Sequence, residues 1–363
     1  MARPPPEEGM PQAGDDIRAK NGRRHYRVGR ELGRGGYGAV YEVELEAAPS
    51  FCPWRSKCSR RSRRATRRSG SGVEGGGDDD SAVRRSHFCR VFDIGKTDVF
   101  DFVTMTAVRQ NLWHLRQASA NHRFSTYTAM GVGRQCLQAL RQMHEIGYIH
   151  RDIKPGNYAV GRKEAAEERL VYLLDFGMAR RYKHPDGRLK RARAEIGFRG
   201  TVRYAAMNSH SGKDLSRRDD LESWFYALIE MTAGSLPWSR VAARDREGVF
   251  YLKDGARKEG RAELLTNTPD PTALGKVLDY IDLLKFERLP DYLYTDMLRR
   301  VQAAVASAWS EPKNNRTTGS WPRGTTSRPC HRPPSSTTRK FQPLLLPPAT
   351  PTTTTKGSVA ARN

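Results

Sequence analysis

Four residues of this chain, Asp152, Lys154, Asn157 and Asp175, have types and spacing that could do chemistry together. The first three lie in His150-Arg151-Asp152-Ile153-Lys154-Pro155-Gly156-Asn157, and the fourth opens Asp175-Phe176-Gly177 after a spacer. A carboxylate at Asp152 can take a hydroxyl proton, and an ammonium two residues on, at Lys154, can sit against a transferring phosphate. Asn157 offers an uncharged metal ligand and Asp175 a hard anionic oxygen of the kind magnesium prefers. Phosphoryl transfer asks little covalent work of a protein and depends on placing a hydroxyl, phosphates and a divalent ion. A chance basic loop beside a strand end accounts for one such segment but not for two in this order.

Those side chains need elements to carry them. Val171-Tyr172-Leu173-Leu174 leads into Asp175 as the return arm of a hairpin. Upstream, Tyr26 to Leu32 alternates apolar and polar residues as a strand does, and feeds Gly33-Arg34-Gly35-Gly36-Tyr37-Gly38 and then Val40-Tyr41. Glycines there let backbone amides close over phosphates. Alone, Gly-x-Gly-x-x-Gly is a weak signal, since dinucleotide-binding folds share it; here a second strand rather than a helix follows. His87 to Gly95 and Val99 to Met105 read as further strands of a small antiparallel sheet, with Met105 closing the back of a nucleotide pocket and Thr106, Ala107 and Val108 as a connecting hinge. Helical spacing marks Asn111 to Gln117 and Phe124 to Ile146. Helices also follow from Asp220, over Leu278 to Leu284 and over Tyr292 to Val305.

The 363 residues accommodate one two-part domain with tails, and the formal charge of +23 attracts anionic partners. Five cysteines at no metal-ligand spacing point to a reduced intracellular protein, in cytoplasm and nucleus. Pro4 to Glu8 has no apolar core, so no signal peptide is expected, and no apolar run approaches membrane-spanning length. Residues 1–24 read as a disordered lead, 25–305 as the folded domain, and 306–363 as a disordered basic Ser/Thr/Pro-rich tail. Residues 49–86 match neither a strand nor a helix: Arg55 to Arg68 is a basic run, and Gly70 to Asp80 is rich in Gly, Ser and Asp. This window reads as a disordered insert or an altered reading frame.

With these segments in view, residues 26–48 and 87–300 resemble the casein kinase one superfamily of protein kinases, and within it the tau-tubulin kinase branch. The superfamily marks are Gly200-Thr201-Val202-Arg203-Tyr204-Ala205, Asn208, His210 and Arg218-Asp219-Asp220-Leu221-Glu222-Ser223. Gly197 to Thr201 and Asn157 to Arg162 look like the tau-tubulin branch. The resemblance implies an α+β bilobal kinase fold, with a small β lobe and a larger helical lobe. It implies ATP with magnesium and transfer to Ser/Thr hydroxyls of acidic or already phosphorylated protein substrates, cytoskeletal proteins among them. Asp152 would be the base, Lys154 the γ-phosphate contact, and Asn157 and Asp175 the metal ligands. Gly33, Gly35, Gly36, Gly38, Val40, Met105 and Ala107 would hold the nucleotide. Arg203 would meet the substrate's anion, where bidentate Arg–phosphate pairing gives a physical basis; a structural pairing inside the same segment is the equal alternative.

Two departures set up competing functions. Kinases place a strand lysine and a helix glutamate where residues 49–86 stand; here only Lys57 and Glu74 are available, in unsuitable surroundings. Arg109 stands where the family hinge has glycine. An active Ser/Thr kinase acting as a monomer is the main expectation. A pseudokinase or nucleotide-binding scaffold is the alternative, and an anion-binding protein using Arg55–Arg68 a second one. The last is disfavoured because the run lacks aromatics for base stacking, so no specific nucleic acid partner is expected.

Overall fold

The computed structural model describes residues 10–18, 25–35, 38–45 and 86–292, together with the backbone of 340–346. The chain divides into two compact units, a strand-rich one holding residues up to 83, 90–107 and 333–363, and a mainly helical one holding 84–89 and 108–332. This is the α+β division expected of a bilobal kinase fold.

In the first unit, elements numbered along the chain form one six-stranded sheet. Its strands are β1 (Asp16–Arg18), β2 (His25–Gly35), β3 (Gly38–Leu45), β4 (Val91–Lys96), β5 (Asp101–Thr106) and β10 (Lys340–Leu346). The order is β1-β2-β3-β10-β5-β4. Alternation drives the pairing: Tyr26, Val28, Ala39, Tyr41, Val43 and Phe102 face one small core that Ile17 completes. The Tyr26 hydroxyl donates to Asp93 at 3.1 Å and accepts from Thr104 at 3.3 Å, tying β2 to β4 and β5 through one buried ring.

Two expectations are corrected here. Asp16–Arg18, within the segment read as a lead, forms a strand on β2 with Ile17 paired to Tyr26. Its side chains alternate exposed, buried, exposed, so a single isoleucine suffices to dock it. Lys340–Leu346, within the tail, forms the strand between β3 and β5, antiparallel to both. The tail's composition is polar overall, but Phe341, Leu344, Leu345 and Leu346 give this stretch a local apolar composition compatible with a strand. Pro343 pairs with Thr104 there, although it cannot donate to a ladder. The window centred on Lys57 and Glu74 lies outside the described residues, as do Gly36 and all of Tyr292–Val305 beyond Tyr292.

The second unit is built on α2 (Thr126–Glu145) and α4 (Arg217–Ala233). Ser125 caps α2 by accepting from the Thr128 amide, and Ser216 with Asp219 forms a reciprocal capping box on α4. Every residue of α4 except Arg218 and Ala233 is buried, which makes it the central helix of the unit. Leu137, Leu140 and Met143 from α2 join Leu221, Trp224, Phe225 and Leu228 from α4 in one core. Around them lie α1 (Leu112–Gln117), α3 (Met207–His210), α5 (Arg246–Gly255), α6 (Arg261–Leu265) and α7 (Pro271–Leu283). Helix α7 starts earlier than its apolar run indicates, because Asp270 caps it and Pro271 opens it. Short strands β6 (Tyr148–Ile149) and β9 (Arg180–Arg181) pair with each other, as do β7 (Tyr158–Val160) and β8 (Val171–Leu173). The latter pair is the hairpin expected before Asp175.

Candidate active site

The loop from His150 to Asn157 leaves β6 and enters β7, and a single buried carboxylate from α4 holds its start. Asp220 accepts from the backbone amides of His150 at 2.7 Å and Arg151 at 2.8 Å, and from His144 Nε2 at 2.9 Å. Burial by itself would raise the Asp220 carboxyl, but the His144 bond and the charges and amide facing it hold it below the usual aspartate range. This grip stabilises Arg151 at a φ of 72°, a left-handed conformation unusual for a side chain of its size. Gly200, at φ 100°, passes so close that a Cβ there would lie 2.9 Å from the Arg151 carbonyl oxygen. Only glycine fits.

Three of the expected residues come together on this loop. Asp152 is buried, and its Oδ2 accepts from Lys154 Nζ at 2.7 Å while its Oδ1 accepts from the Thr201 hydroxyl at 2.8 Å. Lys154 also donates to Thr201 Oγ1 at 3.1 Å. Asn157 Nδ2 donates to the Asp152 carbonyl at 2.8 Å, which stiffens the loop and leaves the amide oxygen as an acceptor for a cation. Asp175 is exposed, with φ 60°, and its Oδ1 accepts from the Gly177 amide at 3.3 Å. It is tied to the same loop through its neighbour: the Leu174 carbonyl bonds His150 Nε2 at 3.0 Å, and the Leu174 amide donates to the Asn157 carbonyl at 2.8 Å. Asn157 and Asp175 would hold a magnesium ion, whose positive charge would offset that of phosphate oxygens. Among the described residues no set of three or more His, Cys, Asp or Glu could hold a metal. A site with one carboxylate suits magnesium, which keeps waters and phosphate oxygens in its shell.

The expected nucleotide residues belong to the first unit. Gly33 and Gly35 end β2; Gly38, at φ 137°, and Val40 open β3, with Gly35 paired to Gly38 across the hairpin. Met105 lies on β5, paired with Gln342 of β10, and Ala107 is buried just beyond it. In the second unit, the Arg109 amide donates to the Val160 carbonyl at 2.8 Å, so the residue in place of the family glycine is anchored by its backbone.

Arg203 stands two residues beyond Thr201. Its guanidinium donates to Glu230 Oε1 at 2.9 Å and to the Ser239 carbonyl at 3.0 Å. Glu230 is fully buried and also accepts from Tyr204 at 2.5 Å. Both partners lie outside the Gly197–Ala205 segment, and the guanidinium remains partly exposed beside them. The basic cluster sits elsewhere: burial lowers the Arg151 guanidinium, and Arg193, Arg180 and Arg199 lower it further by repulsion. Asp214 binds two of these, accepting from Arg180 at 2.6 Å and from Arg193 at 2.9 Å. Thr201, Asp220 and His144 were not singled out for roles from sequence. For Thr201 and Asp220 the signal was present in the family motifs that contain them, Gly200 to Ala205 and Arg218 to Ser223; His144 carried none.

A family description, the protein kinase domain, matches residues 26–252, and the chain belongs to that family. It is similar to a probable serine/threonine-protein kinase of Dictyostelium discoideum, 36% identical over 217 residues, 58% of this chain and 41% of that protein. Similarity to the serine/threonine-protein kinase spe-6 of Caenorhabditis elegans is 34% over 200 residues, 54% and 52% of the two chains. Casein kinase I homolog 2 of Schizosaccharomyces pombe is 29% identical over 288 residues, covering 76% of this chain and 63% of that one. These relatives bear out the casein kinase one resemblance. The chain spans about half the length of the first two.

Proposed function

We propose that this protein is a serine/threonine kinase that moves the γ-phosphoryl group of magnesium-bound ATP to protein hydroxyls. The observation that carries this is the Asp152 carboxylate, buried yet bonded by Lys154 and Thr201 on a loop pinned by Asp220. Asp152 accepts the substrate hydroxyl's proton, while Lys154, 2.7 Å away, faces the charge moved onto phosphate oxygens. Substrates are acidic or already phosphorylated segments, cytoskeletal proteins among them. Support comes from Arg151, Arg180, Arg193 and Arg199, whose mutual repulsion an arriving anion would relieve. Cys89 and Cys136 are free thiols, which supports an intracellular site of action.

A second reading, nucleotide binding without turnover, is favoured by one feature of the first unit. Its central strand is Lys340–Leu346, whose single lysine stands at the strand's first position. Incubating the purified chain with γ-labelled ATP, magnesium and an acidic Ser/Thr peptide tests both readings. Incorporation lost in Asp152→Asn supports the kinase; nucleotide binding with no incorporation supports the scaffold and refutes the kinase.

A further inference from the structure

Lys253 on α5 is the most unusual charged group away from the Asp152 loop. Its side chain is wholly buried. The ammonium donates to the carbonyls of Val202 at 2.9 Å and Ala205 at 2.7 Å, and lies 3.3 Å from His210 Nε2. It sits over the rings of Tyr226, at 5.0 Å, and Trp238, at 5.4 Å. A lysine is rarely buried without a carboxylate bonded to it, and this one instead spends its donors on two backbone carbonyls and an imidazole. Burial, with the nearby Lys253 charge, pushes the His210 imidazole down to about 4. His210 is thus neutral at working pH, and its Nε2 can accept a hydrogen bond from the ammonium.

The two carbonyls flank the residues next to Thr201, whose hydroxyl donates to Asp152 at 2.8 Å and accepts from Lys154 at 3.1 Å. Between them, the Arg203 carbonyl accepts from Trp238 Nε1 at 2.8 Å, so α5 and Trp238 hold three carbonyls of the four-residue stretch Val202–Ala205. We propose that Lys253 is a positioning residue, clamping the Val202–Ala205 backbone so that Thr201 stays on the Asp152 carboxylate. The proposal rests on the reading of Asp152 as the base. It assigns Lys253 no contact with substrate.

The clamp is sensitive to pH. Burial pushes the Lys253 ammonium down to about 7, against the opposing pull of Glu222 and with repulsion from Arg257. The titratable groups facing it are His210 from α3, Glu222 and Tyr226 from α4, and Arg257 just beyond α5. Because the buried ammonium titrates below its solvated value, opening the clamp above about pH 7 requires the amine to take up a proton, so the closed clamp becomes harder to open as pH rises.

The test compares the intact chain with Lys253→Met, which keeps the stem and deletes the charge, and Lys253→Arg, which keeps a charge at all pH. Amide hydrogen exchange over residues 199–206 is read from pH 6 to 9, corrected for intrinsic exchange, beside kcat on an acidic peptide and ATP affinity. In the intact chain, protection of 199–206 should rise above pH 7. In the Met variant it should be low throughout, with kcat reduced by roughly tenfold to a hundredfold at unchanged ATP affinity. Protection in the intact chain that is flat with pH, or equal to that of the Met variant, overturns the proposal. So does a Met variant with undiminished kcat. Absence of turnover in the intact chain sinks the kinase reading instead, and the exchange measurement still decides the clamp. Should neither variant fold, the pH series on the intact chain alone decides it.

Discussion

Replacing Asp220 by asparagine would test how much the catalytic loop depends on one carboxylate. Its Oδ2 takes the His150 amide and His144, and its Oδ1 takes the Arg151 amide. An asparagine presents one oxygen, and its least costly orientation puts that oxygen toward His150 and His144. The NH2 group then faces the Arg151 amide, donor against donor. One bond to a charged acceptor is lost and a buried N–H is left unpaired, together costing about 2–4 kcal/mol. Arg151 should leave its φ of 72°, shifting Asp152, and kcat should fall on the order of a hundredfold. Urea unfolding measures the first effect, peptide phosphorylation the second. The pH dependence follows from the lowered Asp220 carboxyl: its stabilisation is present above the unfolded value of about 3.9 and is lost as pH falls through the lower folded value. The stability gap between the two proteins should therefore be constant from pH 8 to 5 and shrink only below about 4. A variant within ~0.5 kcal/mol of the parent with normal turnover would refute the reasoning.

Other outcomes can be checked directly. Thr201→Val removes the hydroxyl that donates to Asp152 at 2.8 Å and should lower kcat by about 10- to 150-fold, from roughly 1.5–3 kcal/mol for a bond to a charged group, with ATP affinity unchanged. Asp175→Asn should abolish magnesium-dependent ATP binding while far-ultraviolet circular dichroism stays the same; undiminished binding measured by calorimetry would exclude Asp175 as the ligand. Deleting residues 333–363 removes β10 and should speed amide exchange in β3 and β5, because each ladder bond contributes about 0.5–1.5 kcal/mol; unchanged exchange would mean the strand carries no stability. Burial pushes the Cys89 thiol up to about 12 and raises Cys136 as well, so peptide-resolved alkylation at pH 8 should be slow at both until the protein is unfolded.

The sequence determined by itself the residues around the phosphoryl-transfer chemistry, because local order suffices for them. Asp152, Lys154 and Asn157 lie within six residues on one loop, and the glycine-rich segment is a hairpin whose two arms alternate in place. Strand and helix periods are properties of neighbouring residues, so α1 and α2 were legible within a residue or two, and β2 and β3 in place though three to four residues short at their ends. What depends on residues far apart in the chain was not legible. His144 and Asp220 meet across 76 positions, and Lys253 reaches the Val202 carbonyl across 51. Nothing in the spacing of His144 or Lys253 marks them, since each reads as an ordinary helical polar residue until α2, α4 and α5 pack. Arg203 shows the same limit: its motif left ion pairing and anion reading equal, and its bond to the buried Glu230, 27 positions on, came only with the packing of α4. The tertiary structure also brought Lys340–Leu346 between β3 and β5, a pairing across about 300 positions that no local pattern signals, since the unpaired N–H and C=O groups of a strand edge can pair with a segment distant in the chain.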